Sequence, residues 1–413
     1  MTTFGVGELS AINGIAGAFA EHVPIVHIVG YPSTTAQRNR ALLHHTLGNG
    51  DFNVFAEMSS KISCDVARLK LDRPAEIGDQ IDRALQRCWV RSQPVYIMMP
   101  SDMIDKEIEG ACLSTPIDLA EPTAELNSER EDCVVDAVLK SLYAARNPVV
   151  LVDHYALRHR VLEQVRDLIE KTQLSVFVTP MGKGAVNEDS PSYGGLYAGV
   201  GSEPAVAREQ VEASDLVLTI GGLKSDVNTA GFTCRTSQLR TIDLHPSYCK
   251  VRHSEYPGVS MRGVLRKIVE RIDPQKLARP TLPRPLLPQA MPHQSTLPNE
   301  AAHHNGDNPQ DITHAFFWRR ISGYLKKDDI VVTETGTSSI GIWETKFPPG
   351  ATGITQALWG SIGWSVGAAQ GAALAAKDAG VDRRTVLFVG DGSFQLTAQE
   401  ITTMIRHKLK ITM

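Results

Sequence analysis

Short, predominantly apolar runs recur along the chain, separated by stretches with helical spacing. Examples are residues 25–30, 94–99, 149–152 and 216–220, and several of these runs are closed by glycine or proline. Runs of four to six residues with little polar alternation are typical of strands that are covered on both faces, as in parallel sheets between helices. The pattern therefore predicts an α/β fold built from parallel sheets.

The strand–helix alternation forms three blocks, which we interpret as three Rossmann-like domains. The first covers residues 1–116, the second 120–275 and the third 311–413. Residues 276–310 contain closely spaced prolines between Pro280 and Pro298. Because proline lacks the amide donor that helix interiors and central strands need, we expect this stretch to be a linker.

Composition is that of an ordinary globular protein, with 42% apolar and 21% charged residues and a formal net charge of −4. This charge does not favour a nucleic acid or an anionic membrane as partner, and no run of 18 or more apolar residues predicts a membrane span. The six cysteines form no CxxC pair, which argues against a zinc site or a disulfide framework. Residues 1–24 lack the basic segment of a signal peptide, so we expect a cytoplasmic protein.

The loop Gly390-Asp391-Gly392-Ser393 follows the apolar run 386–389 and precedes a predicted helix. A strand, a glycine turn and a helix N-terminus together can bind an anion, because free amide groups and the helix dipole point at it. Asp391 adds a carboxylate, a ligand that Mg²⁺ prefers, so a metal-bridged diphosphate suits the loop. The alternative is a tight turn in which Asp391 or Ser393 caps the helix.

Two further segments of the third block join this loop. Thr333-Glu334-Thr335-Gly336-Thr337-Ser338-Ser339 also follows a predicted strand, and Gln356-Ala357-Leu358-Trp359-Gly360-Ser361-Ile362-Gly363 precedes a helix whose glycines, spaced by four, predict close approach to another backbone. Together the three segments resemble the cofactor domain of pyruvate decarboxylases and related thiamine-diphosphate enzymes. The resemblance extends over essentially the whole chain except the proline-rich stretch, and is nearest to the fungal type. It implies a partial pyrimidine-binding domain, a middle domain and a partial diphosphate-binding domain.

The resemblance assigns binding roles to the second and third segments. Thr337 would contact the cofactor, and the Gly360 carbonyl would accept a hydrogen bond from the exocyclic nitrogen of the aminopyrimidine, with Ser361 beside it. Ile362 would be the apolar wedge that bends the cofactor. This bend brings the exocyclic nitrogen next to the reactive thiazolium carbon, where proximity favours proton transfer.

By the same resemblance, Asp391 would hold Mg²⁺, and Gly392 with Ser393 would hold the diphosphate. A metal loop of this kind takes a second ligand from the next parallel strand, roughly 25 residues later, where the family has an asparagine pair. The sequence ends at Met413, and family enzymes begin well before Met1, in a segment with a glutamate that acts on the pyrimidine ring. We therefore expect a chain cut short at both ends, either a gene-model fragment or a catalytically impaired truncated subunit.

The first block contains Leu42-Leu43-His44-His45-Thr46-Leu47, which is very similar to the paired-histidine stretch of pyruvate and indolepyruvate decarboxylases. Histidine titrates near neutral pH and can move protons in both directions. The resemblance implies that His44 and His45 are catalytic. From the residues alone, a structural or surface pair is the alternative.

The implied reaction is the non-oxidative decarboxylation of a 2-oxo acid, pyruvate first, to an aldehyde and CO₂, with thiamine diphosphate and Mg²⁺ as cofactors. A carboligase of the acetolactate synthase type is the alternative enzyme, which the His44-His45 pair and the absence of a flavin fingerprint disfavour. The partners implied are a small 2-oxo acid and a second copy of the chain, in a homodimer or a dimer of dimers.

Overall fold

The computed structural model describes residues 1–70, 74–108, 110–119, 128–278 and 312–413. The chain divides into two compact units, Met1–Glu125 and Leu126–Met413. Most of the predicted linker at 276–310, from residue 279 onward, lies outside the described residues. Residue 120, where we predicted that the middle domain begins, also lies outside them. The three-domain division therefore stays a prediction.

The first unit holds a parallel sheet of four described strands in the order β1-β2-β4-β3. The strands are β1 (Thr2–Thr3), β2 (Val26–Tyr31), β3 (Asp65–Arg68) and β4 (Val95–Pro100), and the helices are α1 (Val6–Ala20), α2 (Thr34–Arg38), α3 (Val54–Ser60) and α4 (Ile77–Arg91). The two strands predicted here, β2 and β4, pair with each other along their whole length. Each is displaced by one residue from the predicted bounds, as is usual where strand ends are set by hydrogen bonds.

The second unit begins with a seven-stranded sheet among the described residues, in the order β11-β10-β9-β8-β5-β6-β7. Its strands are β5 (Pro148–Val152), β6 (Ser175–Val178), β7 (Tyr193–Leu196), β8 (Leu216–Ile220), β9 (Thr241–Leu244), β10 (Tyr248–Val251) and β11 (Ser254–Pro257). Its helices are α5 (Ser128–Ala144), α6 (His154–Arg158), α7 (Leu162–Thr172), α8 (Ala205–Ala213) and α9 (Met261–Arg271). All residues of β5 and β8 are buried, as their predominantly apolar runs predicted.

This sheet is not parallel throughout, contrary to the simple expectation. β10 pairs antiparallel with both β9 and β11, forming a hairpin at one edge. Three of the four β11 residues are exposed. The sequence did not reveal these strands because half-exposed edge strands lack an apolar run.

The third sheet also belongs to the second unit and is parallel, with the described strands in the order β13-β12-β14-β15. Its strands are β12 (Ile330–Thr333), β13 (Thr352–Thr355), β14 (Thr385–Phe388) and β15 (Ile411–Thr412). Its helices are α10 (His314–Tyr324), α11 (Thr337–Gly341), α12 (Trp364–Asp378), α13 (Asp391–Leu396) and α14 (Glu400–Arg406). The three sheets confirm the predicted α/β class with parallel sheets.

A buried ion pair fastens the middle sheet's loops to the third sheet. The Lys183 ammonium lies 3.1 Å from a Glu188 carboxylate oxygen, and both side chains are almost fully buried. The other Glu188 oxygen accepts a hydrogen bond of 2.9 Å from the Phe347 amide, and the Lys183 nitrogen lies 4.5 Å from the centre of the Phe347 ring. Each charge is thus compensated by protein groups, as a buried pair requires.

The predicted role of the glycines in α12 holds at one of three positions. Gly363 lies before the helix with φ of +91°, and a Cβ there would be 2.9 Å from the Leu396 Cβ. Around Gly367 and Gly371, no atom of the described chain comes within 4 Å of an added Cβ. For these two glycines, a close approach to another backbone is not seen within the described residues.

Among the described residues, none of the helices combines the length and apolar character needed to cross a bilayer.

Candidate functional site

The three segments singled out in the third block meet at one edge of the third sheet. Residue pairing sets Thr333, the last residue of β12, beside Thr355 of β13 and Phe388 of β14. Because these strands are parallel, the segments that follow them emerge at the same, carboxyl-terminal edge. The sequence indicated each segment separately, and the strand pairing brings them together.

The segment after β12 turns at Gly336, whose φ of +112° favours glycine, and enters α11 at Thr337. The Thr337 side chain is exposed. The Ser338 hydroxyl donates to the Glu334 carbonyl at 2.9 Å and reaches the Phe388 carbonyl at 3.4 Å. These bonds hold the start of α11 between the ends of β12 and β14.

The segment after β13 forms a turn that ends at α12. Gly360 has φ of +64° and Gly363 +91°, so both positions need a residue without a Cβ. The Ser361 amide donates to the Gln356 side-chain oxygen at 2.7 Å, which closes the turn. The Ile362 side chain is 57% exposed, so its apolar surface is available to a ligand.

The segment after β14 enters α13 directly at Asp391, with Gly390 as the residue before the helix. Gly390 is the N-cap residue, and no side chain of the described residues makes a capping hydrogen bond to this helix, so the alternative in which Asp391 or Ser393 serves as a cap does not hold. The Asp391 carboxylate is exposed, and Gly390 and Gly392 have open space where a Cβ would be. The loop thus presents a carboxylate and bare backbone to its surroundings.

Glu334 connects the segment after β12 with the start of α12, a role that the sequence analysis did not assign to it. Its carboxylate is buried and accepts hydrogen bonds from the Thr335 amide at 2.9 Å and the Gly363 amide at 3.2 Å. It also accepts from the Ser365 hydroxyl at 2.6 Å and the Ser365 amide at 3.4 Å. The available signal was a glutamate directly after a buried strand, where a charge is costly unless it is paired.

The edge also carries polar atoms that suit a polar ligand. The buried hydroxyl oxygens of Thr335 and Thr355 have no hydrogen-bond partner among the described residues. Together with the exposed Asp391 carboxylate, they give the donor and acceptor types that a diphosphate with a divalent cation requires. No group of three or more His, Cys, Asp or Glu in the described part of the chain forms a metal cage of its own.

The paired histidines lie in the first unit, in the irregular segment between α2 and α3. Their rings are 4.7 Å apart in an edge-on arrangement, and both side chains are exposed. The Phe4 ring contacts both, with centroid distances of 5.8 Å to His44 and 5.9 Å to His45. His45 has a left-handed backbone with φ of +59°, which is uncommon outside glycine and marks a constrained position.

A buried network in the same unit supports that position. The Glu8 carboxylate accepts a hydrogen bond from the Gly5 amide and another from the Tyr96 hydroxyl, both at 2.8 Å. Burial raises the pKa of Glu8, and burial likewise raises the pKa of Tyr96. Gly5, with φ of +61°, packs directly against the His45 backbone. The network therefore holds Gly5 in place, and Gly5 contacts the backbone of the histidine segment at His45.

The middle sheet has a buried acidic pair at its own carboxyl-terminal edge. Asp153 accepts from the Leu223 amide at 2.7 Å and from the Asn228 side-chain amide at 2.9 Å. Burial raises the pKa of Asp153, and it raises the pKa of Asp243 to about 6. The sequence analysis assigned no role to either residue, and the bonds of Asp153 tie together the loops that follow β5 and β8.

Two family models match parts of the second unit. Residues 135–272 match the family described as "Thiamine pyrophosphate enzyme, central domain". Residues 334–413, which contain all three segments of the third sheet's edge, match "Thiamine pyrophosphate enzyme, C-terminal TPP binding domain".

Several relatives that match nearly the whole chain carry the name pyruvate decarboxylase. A pyruvate decarboxylase of Aspergillus fumigatus is 59% identical over 99% of this chain and 68% of its own length. A pyruvate decarboxylase of Aspergillus terreus is 58% identical, again over 99% of this chain and 68% of its own. Pyruvate decarboxylase isozyme 1 of Saccharomyces cerevisiae is 43% identical over 99% of this chain and 70% of its own. The chain therefore belongs to the thiamine-diphosphate-dependent pyruvate decarboxylase family, carbon–carbon lyases that decarboxylate 2-oxo acids, as the sequence motifs predicted.

Proposed function

We propose that the chain acts on pyruvate, converting it to acetaldehyde and CO₂ with thiamine diphosphate and Mg²⁺. The observation that carries the proposal is the meeting of the three segments at the carboxyl-terminal edge of the third sheet. The name shared by relatives at 58–59% identity supports pyruvate as the substrate.

In this proposal, Asp391 binds Mg²⁺, and Gly392 and Ser393 bind the diphosphate. The exposed Asp391 carboxylate and the open backbone of the loop support these roles. When bound, thiamine diphosphate supplies a carbon nucleophile and an electron sink for the bond that breaks.

The turn before α12 would receive the pyrimidine half. Thr337 contacts the cofactor, the Gly360 carbonyl accepts from its exocyclic nitrogen, and Ser361 lines the turn between them. Ile362 supplies the apolar surface on which the cofactor bends. Its 57% exposure supports this role, because burying a large apolar side chain against a ligand is favourable.

His44 and His45 handle protons in this proposal. Loss of CO₂ from a 2-oxo acid leaves a carbon that must gain a proton before an aldehyde can depart, and a second proton must be removed from the hydroxyl. Two adjacent imidazoles that are both exposed could serve as the donor and the acceptor of these protons. Their fixed ring geometry supports a paired role.

We also propose that the chain works as a homodimer or a dimer of dimers, in the cytoplasm. Exposed apolar side chains near the candidate site support association, among them Ile340, Leu358, Trp359 and Leu396. The free cysteines among the described residues support a reducing compartment.

The test is release of aldehyde from pyruvate by the purified chain, followed through a coupled alcohol dehydrogenase with thiamine diphosphate and Mg²⁺ present. We expect turnover that depends on both additions. His45→Phe should lower kcat by about 100-fold or more, while thiamine diphosphate affinity, measured by calorimetry, stays near the wild-type value. Binding of the cofactor without any aldehyde release would contradict the proposal, and equal loss of cofactor binding in His45→Phe would make the pair structural.

A further inference from the structure

The carboxylate of Glu334 lies where the segment after β12 meets the turn before α12. Each of its hydrogen-bond partners among the described residues donates to it. Its oxygens accept from the Thr335 amide, the Gly363 amide and the Ser365 amide and hydroxyl. Glu334 is 1% exposed and Ser365 is fully buried. A carboxylate accepts at both oxygens and donates at neither, so it suits a position surrounded by donors.

Two of these donors belong to the beginning of α12. Gly363 precedes the helix without a side-chain cap of its own, and Ser365 lies in the first turn. The first amides of a helix have no partner within the helix, and a negative charge is favourable beside them. Glu334 therefore caps α12 from a neighbouring strand.

The bond between Glu334 and the Gly363 amide also sets the position of the turn before α12. Gly360, Ser361 and Ile362 immediately precede Gly363, so a shift of the Gly363 amide moves all three. A second contact fixes Gly363 from the other side, because the Thr397 hydroxyl donates to the Gly363 carbonyl at 2.6 Å. Gly363 is thus held between Glu334 and the end of α13.

We propose that Glu334 is a positioning residue for the cofactor, which sets the separation between the Thr335–Thr337 segment and the Gly360–Ile362 turn. This inference rests on the proposed function, in which both segments contact thiamine diphosphate. Glu334 acts through the backbone of these segments and needs no contact with the cofactor itself.

Glu334→Gln is the test, because it keeps the shape, removes the charge and places a side-chain N–H donor opposite at least one backbone amide donor. We expect the Kd for thiamine diphosphate with Mg²⁺, measured by calorimetry, to rise by about tenfold or more, since a lost charge-assisted bond and an unpaired donor both weaken the turn. Ser365→Ala removes one partner only, and a smaller rise is expected.

The matched control is Asp329→Asn. Asp329 is also almost fully buried and lies directly before β12, about 16 Å along the strand from Glu334. It pairs with Arg384 at the opposite edge of the sheet. Its replacement should lower the melting temperature while leaving the Kd for thiamine diphosphate within about twofold of wild type.

Hydrogen exchange of the protein without cofactor provides a second readout. Peptides covering residues 356–366 should exchange faster in Glu334→Gln than in wild type or Asp329→Asn. Unchanged exchange and unchanged affinity in Glu334→Gln would overturn the inference and leave the proposed function standing. If Glu334→Gln does not fold, unchanged exchange and affinity in Ser365→Ala would overturn it instead. No binding of thiamine diphosphate by the wild type would overturn the proposed function, and this inference with it.

Discussion

Gly5 and His45 approach so closely that a Cβ on Gly5 would lie 1.9 Å from the His45 carbonyl oxygen. Gly5→Ala must therefore displace the histidine segment, and it also places a Cβ at φ of +61°. We expect the free energy of unfolding to fall by roughly 1–3 kcal/mol, and kcat for pyruvate to fall more than the affinity for thiamine diphosphate. Thermal unfolding and steady-state kinetics would measure the two effects.

Gly14→Ala is the control for that variant. Gly14 lies exposed in α1, and no atom comes within 4 Å of an added Cβ. Alanine should leave kcat unchanged and raise stability by up to about 1 kcal/mol, because it favours the helix. Wild-type kinetics and stability in Gly5→Ala would show that the Gly5–His45 contact has no consequence for the histidine pair.

Asp391→Asn should weaken cofactor binding in a manner that depends on Mg²⁺. The amide keeps an oxygen but loses the charge that a hard cation prefers, so we expect the Kd for thiamine diphosphate at saturating Mg²⁺ to rise by at least about tenfold. Calorimetry over a series of Mg²⁺ concentrations measures the effect. Asp382→Asn, at an exposed position before β14, is the control, and an equal change in both variants would count against a metal role for Asp391.

Lys183→Met should destabilise the second unit strongly. It leaves the buried Glu188 carboxylate with the Phe347 amide but without its cation, and removing one partner of a buried pair costs about 3–5 kcal/mol. The neighbouring pair of Lys346 with Asp189 is partly exposed, so Lys346→Met should cost about 1 kcal/mol or less. Chemical denaturation would compare them, and similar losses would show that burial of the first pair has no energetic weight.

Asp243→Asn should raise stability at high pH and not at low pH. Burial raises the pKa of Asp243 to about 6, with Lys224 opposing the shift, so the folded protein binds this proton more tightly than the unfolded chain does. The resulting stabilisation is present below about pH 4 and is lost as the pH rises through 6, at most about 3 kcal/mol. The variant should therefore melt above the wild type at pH 8 and together with it near pH 4.

The exposed Asp167 of α7 offers a control, since Asp167→Asn removes a charge without changing a buried group. A melting-temperature difference between Asp243→Asn and wild type that stays constant from pH 4 to pH 8 would contradict the prediction.

Much of the fold could be predicted because β5, β8 and β12 are buried throughout, and a covered strand needs an apolar run. The β10–β11 hairpin could not, because its residues alternate or are exposed. The order of the strands in each sheet could not be predicted from the sequence either. Neighbouring strands in the order β13-β12-β14-β15 are distant in the chain, and only their pairing brings Gly360 and Asp391 to one edge.

The sequence predicted the loops of the candidate site. It did not predict the buried residues that hold these loops in place. Glycines and carboxylates after apolar runs indicated Asp391 and Gly360, because local sequence determines turns. Glu334 and Gly5 act through backbone groups of distant segments, Gly363 and His45, and such contacts have no local pattern. A buried charge directly after a strand is the one clue that would have directed attention to Glu334.

Strand β12 has a buried carboxylate at each end, Asp329 bound to Arg384 and Glu334 bound to the start of α12. Its own four residues, Ile-Val-Val-Thr, are all buried and nearly interchangeable, so they cannot decide which residue pairs with which neighbour. A slip by one residue would turn each side chain to the opposite face of the sheet and break both terminal attachments at once. The two charged attachments at its ends therefore favour one alignment of the central strand, and a strand paired in the wrong register would lose both.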